Sequence, residues 1–318
     1  MKSASLLWRR AKRDTEPLRI APNSSGYRAN VPVAILAELL SIPPESVVVA
    51  DIGAAFFGEA APYKPLRDAG LCKLFAFEPD ERRLGDLQRH LGPDATLFPY
   101  GVGDGTEAML HVCVGGMSSL FEPDPRTLAF FNVLPEIGQV ERTLAVSTRR
   151  LDDVEPLPPI DYLKIDARAS QGRIFQHGRK KLKTCVAIQT VVPFVTLYKR
   201  QPAFGDIDHD LRSQGFIPHC FTNVKRWSIA PTQRDNDPKK PFNQLLEAEI
   251  VYMRDAVNIA LLGADQLKKI ALIADHCYAS IDLAFRCMLE LRRRSMLVPE
   301  AIETYMAELN RKRSVPAG

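Results

Sequence analysis

Five stretches of the chain are apolar almost without interruption: SVVVADIG (46–53), KLFAFEP (73–79), ATLFPYGVG (95–103), YLKID (162–166) and TCVAIQTVV (184–192). A strand with one face in water alternates apolar and polar residues. A run without alternation suits a strand buried on both faces, as in a parallel sheet covered by its own crossover helices. The first of these runs are spaced by about 20 residues, enough for a crossover helix. ERRLGDLQRHL (81–91), with Leu84, Leu87 and Leu91 at helical spacing, reads as one. GFIPHCFTN (215–223) and LLEAEIVYMR (245–254) add two more strands. The pattern predicts an α/β fold with a doubly wound, mostly parallel sheet of about seven strands. EAMLHVCV (107–114) and TLAVSTRRLDDV (143–154) read as short additional strands, the first as one arm of a hairpin.

Residues 1–44 read as a loose arm followed by a short amphipathic helix, VPVAILAELL (31–40), ended by Pro43-Pro44. The sheet domain is expected over 45–255, and 256–318 as a helical extension. There Leu267, Ile270, Ala274, Cys277, Ile281, Ala284, Met288 and Leu291 keep an unbroken 3-4-3-4 spacing. That is a helical seam, suited either to the chain's own core or to a homodimer. Pro299-Glu300 fits the first turn of a last helix ending before Arg311-Lys312-Arg313.

Composition excludes several classes. With 46% hydrophobic and 25% charged residues over 318 positions, the chain is an ordinary folded protein. A net charge of +4 is modest and does not call for nucleic acid. No apolar stretch approaches the ~20 residues of a membrane span. The six cysteines form no CxxC pair, so neither a metal site nor a disulfide framework is expected. A soluble, cytoplasmic protein is the resulting expectation.

In a doubly wound sheet the ligand lies beyond the carboxyl ends of the strands. The first strand ends in Asp51-Ile52-Gly53, where a glycine lets backbone approach a ligand. The second ends in Phe77-Glu78-Pro79, with Glu78 placed to accept hydrogen bonds from a ribose diol. The third ends in Gly101-Val102-Gly103-Asp104, where Asp104 can meet an adenine amine. Each acid alone is as well explained as a helix cap; three at successive strand ends point to one site. Neither GxGxxG nor GxxxxGK[ST] is present, which disfavours dinucleotides and nucleoside triphosphates. An adenosine ligand without a phosphate cradle remains, and S-adenosylmethionine is the natural candidate.

VVVADIGAAFFGEAAPYKPLRDAG, FAFEP, YGVGDG, GMSSL, TRRLDDV, DYLKID and LRSQGF follow one another in the order and spacing of the FkbM-type methyltransferases, which the chain resembles over about residues 45–220. The resemblance implies a class I, S-adenosylmethionine-dependent enzyme that methylates hydroxyls, with seven strands, the last antiparallel. It also implies Asp51 and Gly53 beside the methionine moiety, Glu78 on the ribose, and Gly103-Asp104 flanking the adenine. The sequence departs from the family pattern at Ala55, Phe56-Phe57, Arg168, Ala169, Gln171 and Val191, where amide, acidic or glycine residues are usual. These changes fit an altered acceptor; the alternative is a catalytically impaired binding or regulatory module.

Asp166 is the first candidate for the base that takes the acceptor's proton, with Lys164 orienting it. His111 and His219 are weaker candidates. Ser118 and Ser119 are expected to line the acceptor pocket with Arg168. Between Asp166 and Asp206 there are eight basic residues and no acid. Arg179, Lys180, Lys181 and Lys183 are expected late in a crossover helix, complementing its dipole. Arg168 and Arg173, near the cleft mouth, suggest an anionic small-molecule acceptor.

Overall fold

The computed structural model describes residues 31–54 and 60–311. In chain order the elements are α1 (Val33–Leu39), β1 (Val47–Ile52), α2 (Lys64–Asp68), β2 (Cys72–Phe77), α3 (Glu81–Leu91), β3 (Ala95–Phe98), β4 (Gly101–Val102) and β5 (Glu107–Cys113). They continue as α4 (Pro125–Leu128), α5 (Leu134–Ile137), β6 (Val140–Arg149), β7 (Tyr162–Ile165), α6 (Gln171–Gln176), β8 (Ala187–Pro193), α7 (Phe204–Ser213), β9 (Phe216–Arg226) and β10 (Leu245–Arg254). Three helices close the described chain: α8 (Ala264–Tyr278), α9 (Ile281–Arg293) and α10 (Pro299–Arg311).

The apolar runs form one seven-stranded sheet in the order β3-β2-β1-β7-β8-β10-β9. Its first five strands are parallel, and β10 lies antiparallel between β8 and β9. The order reverses between β1 and β7, which puts the ligand crevice above their carboxyl ends. Alternate residues of each buried strand feed two separate cores. Val47, Val49, Leu74 and Ala76 pack with α1, α3 and the C-terminal helices. Ala50, Ile52, Phe75 and Phe77 pack with Ile174 and Phe175 of α6 and Ile207 and Leu211 of α7.

A smaller layer sits above the sheet. β5 and β6 form the expected antiparallel pair, joined to β4 in a three-stranded sheet. Cys113, Met117, Phe121, Phe131 and Leu134 make a third core with Leu197, Tyr198 and Leu246. Trp227, just past β9, donates its indole N–H to the Asn132 carbonyl at 2.7 Å and fixes the β9–β10 connection to this cap.

Two local expectations need correction. The C-terminal seam is not one helix: Ala279 takes a left-handed conformation (φ 54°) and the chain folds back from α8 into α9. The seam residues Leu267, Ile270, Ala274, Ile281, Ala284, Met288 and Leu291 all bury in the core shared with β1 and β2, so their apolar surface is spent within the chain. The crossover helix α6 stops at Gln176, before the basic run, so Arg179 to Lys183 do not complement its dipole. The run is held by acids instead. Arg179 pairs with Asp210 of α7 at 2.6 Å, and the Lys180 and Lys181 amides donate to Asp152.

Candidate active site

The carboxyl end of β1 turns sharply. Gly53 has φ 77°, and a Cβ there would lie 2.6 Å from the Asp166 carbonyl oxygen. Only glycine lets the first loop pass this close to the chain leaving β7. Beyond the turn, Ile52 and Gly53, Glu78 to Asp80 after β2, and Tyr100 to Val102 around β4 line one cleft, roofed by Leu110 and Val112 of β5. Ser118, Ser119, Asp166 and Arg168 close it, and its empty space is about 780 Å³, mouth included.

Glu78 is buried at the cleft wall, and its Oε1 accepts the Asp80 amide at 2.8 Å. Asp80 takes the capping role that a strand-end acid often fills: its carboxylate accepts the Arg82 amide at 3.2 Å and starts α3. That leaves Glu78 for a ligand. Burial pushes its carboxyl above the ordinary range, against the Asp80 amide and the Arg83 charge. Asp104 is placed differently. Its carboxylate binds the Thr106 hydroxyl at 2.6 Å and Arg173 at 3.0 Å, and neither it nor Gly103 lines the cleft. The Thr106 hydroxyl bond, with Arg173 adding to it, holds its pKa low. Tyr100, Val102 and the β5 side chains stand where a planar base would lie.

A second, wider basin opens on the sheet face crossed by β1, β7, β8 and β10. Asp51 projects into it, not into the first cleft. Its two carboxylate oxygens are taken by the Tyr63 hydroxyl at 2.7 Å and Lys164 Nζ at 3.1 Å. Burial disfavours the Lys164 ammonium, yet Asp51 and Asp166 together hold its pKa above the ordinary value. Cleft and basin meet at Asp166 and Arg168, which line both. The Asp166 carboxylate has no hydrogen bond or ion pair among the described residues. Burial raises its pKa, and the charges of Arg168 and Lys164 only partly oppose that.

Arg168 does not present a free charge. It pairs with Glu247 of β10 at 3.3 Å, and Glu247 also holds Lys225 at 3.1 Å. Arg173 is paired with Asp104 and Lys199 with Glu122, so acids from distant segments answer the basic excess. Arg168, the cation expected to meet an anionic acceptor, still lines both cavities, but with its charge shared with Glu247. Ala169 keeps the left-handed backbone (φ 67°) of a position where the related sequences carry glycine. Ser119 donates its hydroxyl to the Arg168 carbonyl at 2.7 Å and ties the cap to the β7 loop, while Ser118 accepts the Cys113 amide at 3.2 Å and braces the turn within the cap. His219 is bound to Ser280 and lines neither cleft. Ala55, Phe56 and Phe57 lie outside the described residues.

Sequence reasoning missed the β10 acids Glu247 and Glu249, Tyr63, and the basin residues Gln189 and Tyr278. Their signal lies in the alternation of β8 and β10: Gln189 and Val191 on one strand, Glu247 and Glu249 on the other, all face the basin.

The sequence profile of the methyltransferase FkbM domain matches residues 51–218, more than half of the chain. The chain belongs to the FkbM methyltransferase family. No curated protein sequence matches it. Among solved structures it is similar to precorrin-6Y C5,15-methyltransferase from Geobacter metallireducens, 14% identical, covering 69% of this chain and 88% of that one with a TM-score of 0.32. It is also similar to magnesium protoporphyrin IX methyltransferase from Synechocystis, solved with bound S-adenosylmethionine: 12% identical, 80% and 92% covered, TM-score 0.34. At such scores the strand order, not these likenesses, carries the fold. The family is S-adenosylmethionine-dependent, and the first cleft fits that cofactor. Gly53 lets the first loop close against the Asp166 backbone at the cleft edge, Glu78 offers a carboxylate for a diol, and apolar side chains flank a slot for the base.

Proposed function

We propose that the protein transfers a methyl group to a hydroxyl of a small, polyhydroxylated acceptor bound in the basin. The observation that carries this reading is Asp166: a half-buried carboxylate, unpaired among the described residues, where cleft and basin join. S-adenosylmethionine, when bound, supplies an electrophilic methyl group on a sulfonium. Glu78 would hold its ribose, Gly53 and the Asp166 backbone the space beside its methionine end, and Tyr100, Val102 and Leu110 its base.

Asp166 accepts the acceptor's hydroxyl proton as the oxygen forms its bond to the methyl carbon. Bound S-adenosylmethionine would supply the methyl group together with its own leaving group, so no oxidant or further reactant would be needed. A group held against its target needs little more than alignment and a proton acceptor. Lys164, fixed by Asp51, keeps positive charge next to the carboxylate without neutralising it through a hydrogen bond. Arg168 and Glu247 cancel each other and frame the passage between the two cavities.

Calorimetric titration of the protein with S-adenosylmethionine tests the cofactor half. Wild type is expected to bind at micromolar concentration and Glu78→Ala at least 10-fold more weakly, the loss of a hydrogen bond to a charged group. Wild type that is folded but does not bind would favour the impaired module over the enzyme.

A further inference from the structure

The basin has more carboxylates than it has free cations to meet them. Among its described lining residues are Asp51, Asp166, Glu247 and Glu249, against Lys164, Arg168 and Lys225, with His90 at the rim. All three cations are engaged: Lys164 on Asp51, and both Arg168 and Lys225 on Glu247. Glu249 takes its hydrogen bonds from neutral groups alone, and Lys164 acts on it only as a charge at longer range. Its Oε2 accepts Gln189 Nε2 and the Thr222 hydroxyl, each at 3.2 Å, and its Oε1 takes no partner among the described residues. Asp166 and Glu249 are therefore two carboxylates in one cavity that make no ion pair among the described residues, with Lys164 near enough to act on both.

Their separation follows from strand register. Ile165 lies beside Thr190 of β8, and Thr190 opposite Ile250 of β10. One step further along, Asp166 stands level with Val191, which is paired with Glu249. Two strand spacings part the acids' Cα atoms, roughly 10 Å, and both side chains reach into the same basin, on the scale of a small ring-sized acceptor. Between and around them the basin offers Gln189, Thr222, Asn223 and Tyr278, groups suited to hydroxyls. Tyr278 is anchored through a shared bond with Tyr162 and by donation to Gln189 Oε1 at 2.9 Å.

We propose that the acceptor is a polyhydroxylated amine of the amino-sugar or aminocyclitol class, its ammonium held by Glu249 while the hydroxyl to be methylated faces Asp166. An anionic sugar would meet two carboxylates that no ion pair holds, in a basin whose acids outnumber its cations, and a neutral one would leave Glu249 without an ion-pair partner. The assignment rests on the methyltransferase reading of Asp166 and adds the acceptor's charge to it.

The test uses the full chain with methyl-labelled S-adenosylmethionine and three probe sets at millimolar concentration. Glucosamine, galactosamine and streptamine carry the amine; glucose, galactose and myo-inositol lack it; glucuronate and glucose 6-phosphate are anionic. Transfer is expected to the amine set. Glu249→Gln is expected to raise KM for the best amine at least 10-fold, with kcat within about twofold and cofactor affinity unchanged. N-acetylation of that acceptor should do the same to wild type. Preference for the neutral or anionic set, indifference of the amine to Glu249→Gln, or no transfer to any amine by cofactor-bound protein overturns the assignment. Failure to bind the cofactor at all overturns the methyltransferase reading instead, so the two failures are told apart.

Discussion

At the scale of single residues, Asp166 is placed at a cost to stability. Its carboxylate is half-buried, lacks a hydrogen-bond donor among the described residues, and has its pKa raised by burial. A carboxyl whose folded pKa exceeds its unfolded one binds its proton more tightly in the folded state. The ionised form at neutral pH therefore subtracts stability, and that loss is recovered as the pH falls through the raised folded value. Asp166→Asn is expected to melt higher than wild type at pH 7, while kcat falls ~10²–10⁴-fold and cofactor affinity holds. The same raised pKa moves the acid limb of the wild-type rate profile upward, because the base must be ionised to act. Melting curves and a kcat–pH profile check both signs; a variant less stable than wild type would mean that the carboxylate has a partner in solution. The sequence showed Asp166 by its strand-end position. It could not show that Asp51, with the same strand-end look, is consumed by Tyr63 and Lys164, because Tyr63 lies in another segment and its approach is a matter of packing.

At the scale of elements, β10 carries what the β7 loop and β8 lack. Arg168 and Val191 depart from the family's acidic or amide pattern, and across the sheet Glu247 pairs with the first and Glu249 stands opposite the second. These acids stand on a neighbouring strand, which no reading confined to strand ends can detect: it needs the antiparallel register of β10 against β8. The strands themselves were legible because burial on both faces leaves near-continuous apolar runs. The short crossover helix α6 was not, since the chain from 177 to 183 is basic enough to continue a helix and is held in turns by Asp152 and Asp210. The Arg168–Glu247 pair is largely shielded, with side chains 26% and 15% exposed. Burial opposes the Glu247 charge, but Arg168 and Lys225 outweigh it and hold the pKa low. A depressed folded pKa adds stability above the unfolded value that is lost as the pH falls through the folded one. A double-mutant cycle on Arg168→Ala and Glu247→Ala is expected to give a coupling of about 1–2 kcal/mol at pH 7, shrinking below the ordinary glutamate range. A coupling that is flat with pH would deny the ion pair its role.

At the scale of the whole molecule, the open question is whether the C-terminal helices are an appendage or part of the enzyme's core. The seam spacing fitted either a domain's own packing or a dimer, and periodicity cannot distinguish them because both bury one stripe of a helix. The structure buries that stripe against β1 and β2. Leu272 of α8 has no exposed surface and belongs to the same core as Val47, Val49 and Leu74. The same helix sends Tyr278 to Gln189 in the basin, so its packing and the basin share one element. Removing the buried side chain in Leu272→Ala should cost about 2–5 kcal/mol. If helices and sheet are one cooperative unit, that cost appears as a single urea transition at lower midpoint, with far-UV circular dichroism and S-adenosylmethionine binding lost together. Were the helices a separate unit, helical signal would fall first and cofactor binding would persist at urea concentrations where α8 had already melted. Coincidence of the two curves is the expected result, since the strands that hold Gly53 and Glu78 at one end rest on Leu272 and its neighbours along their length.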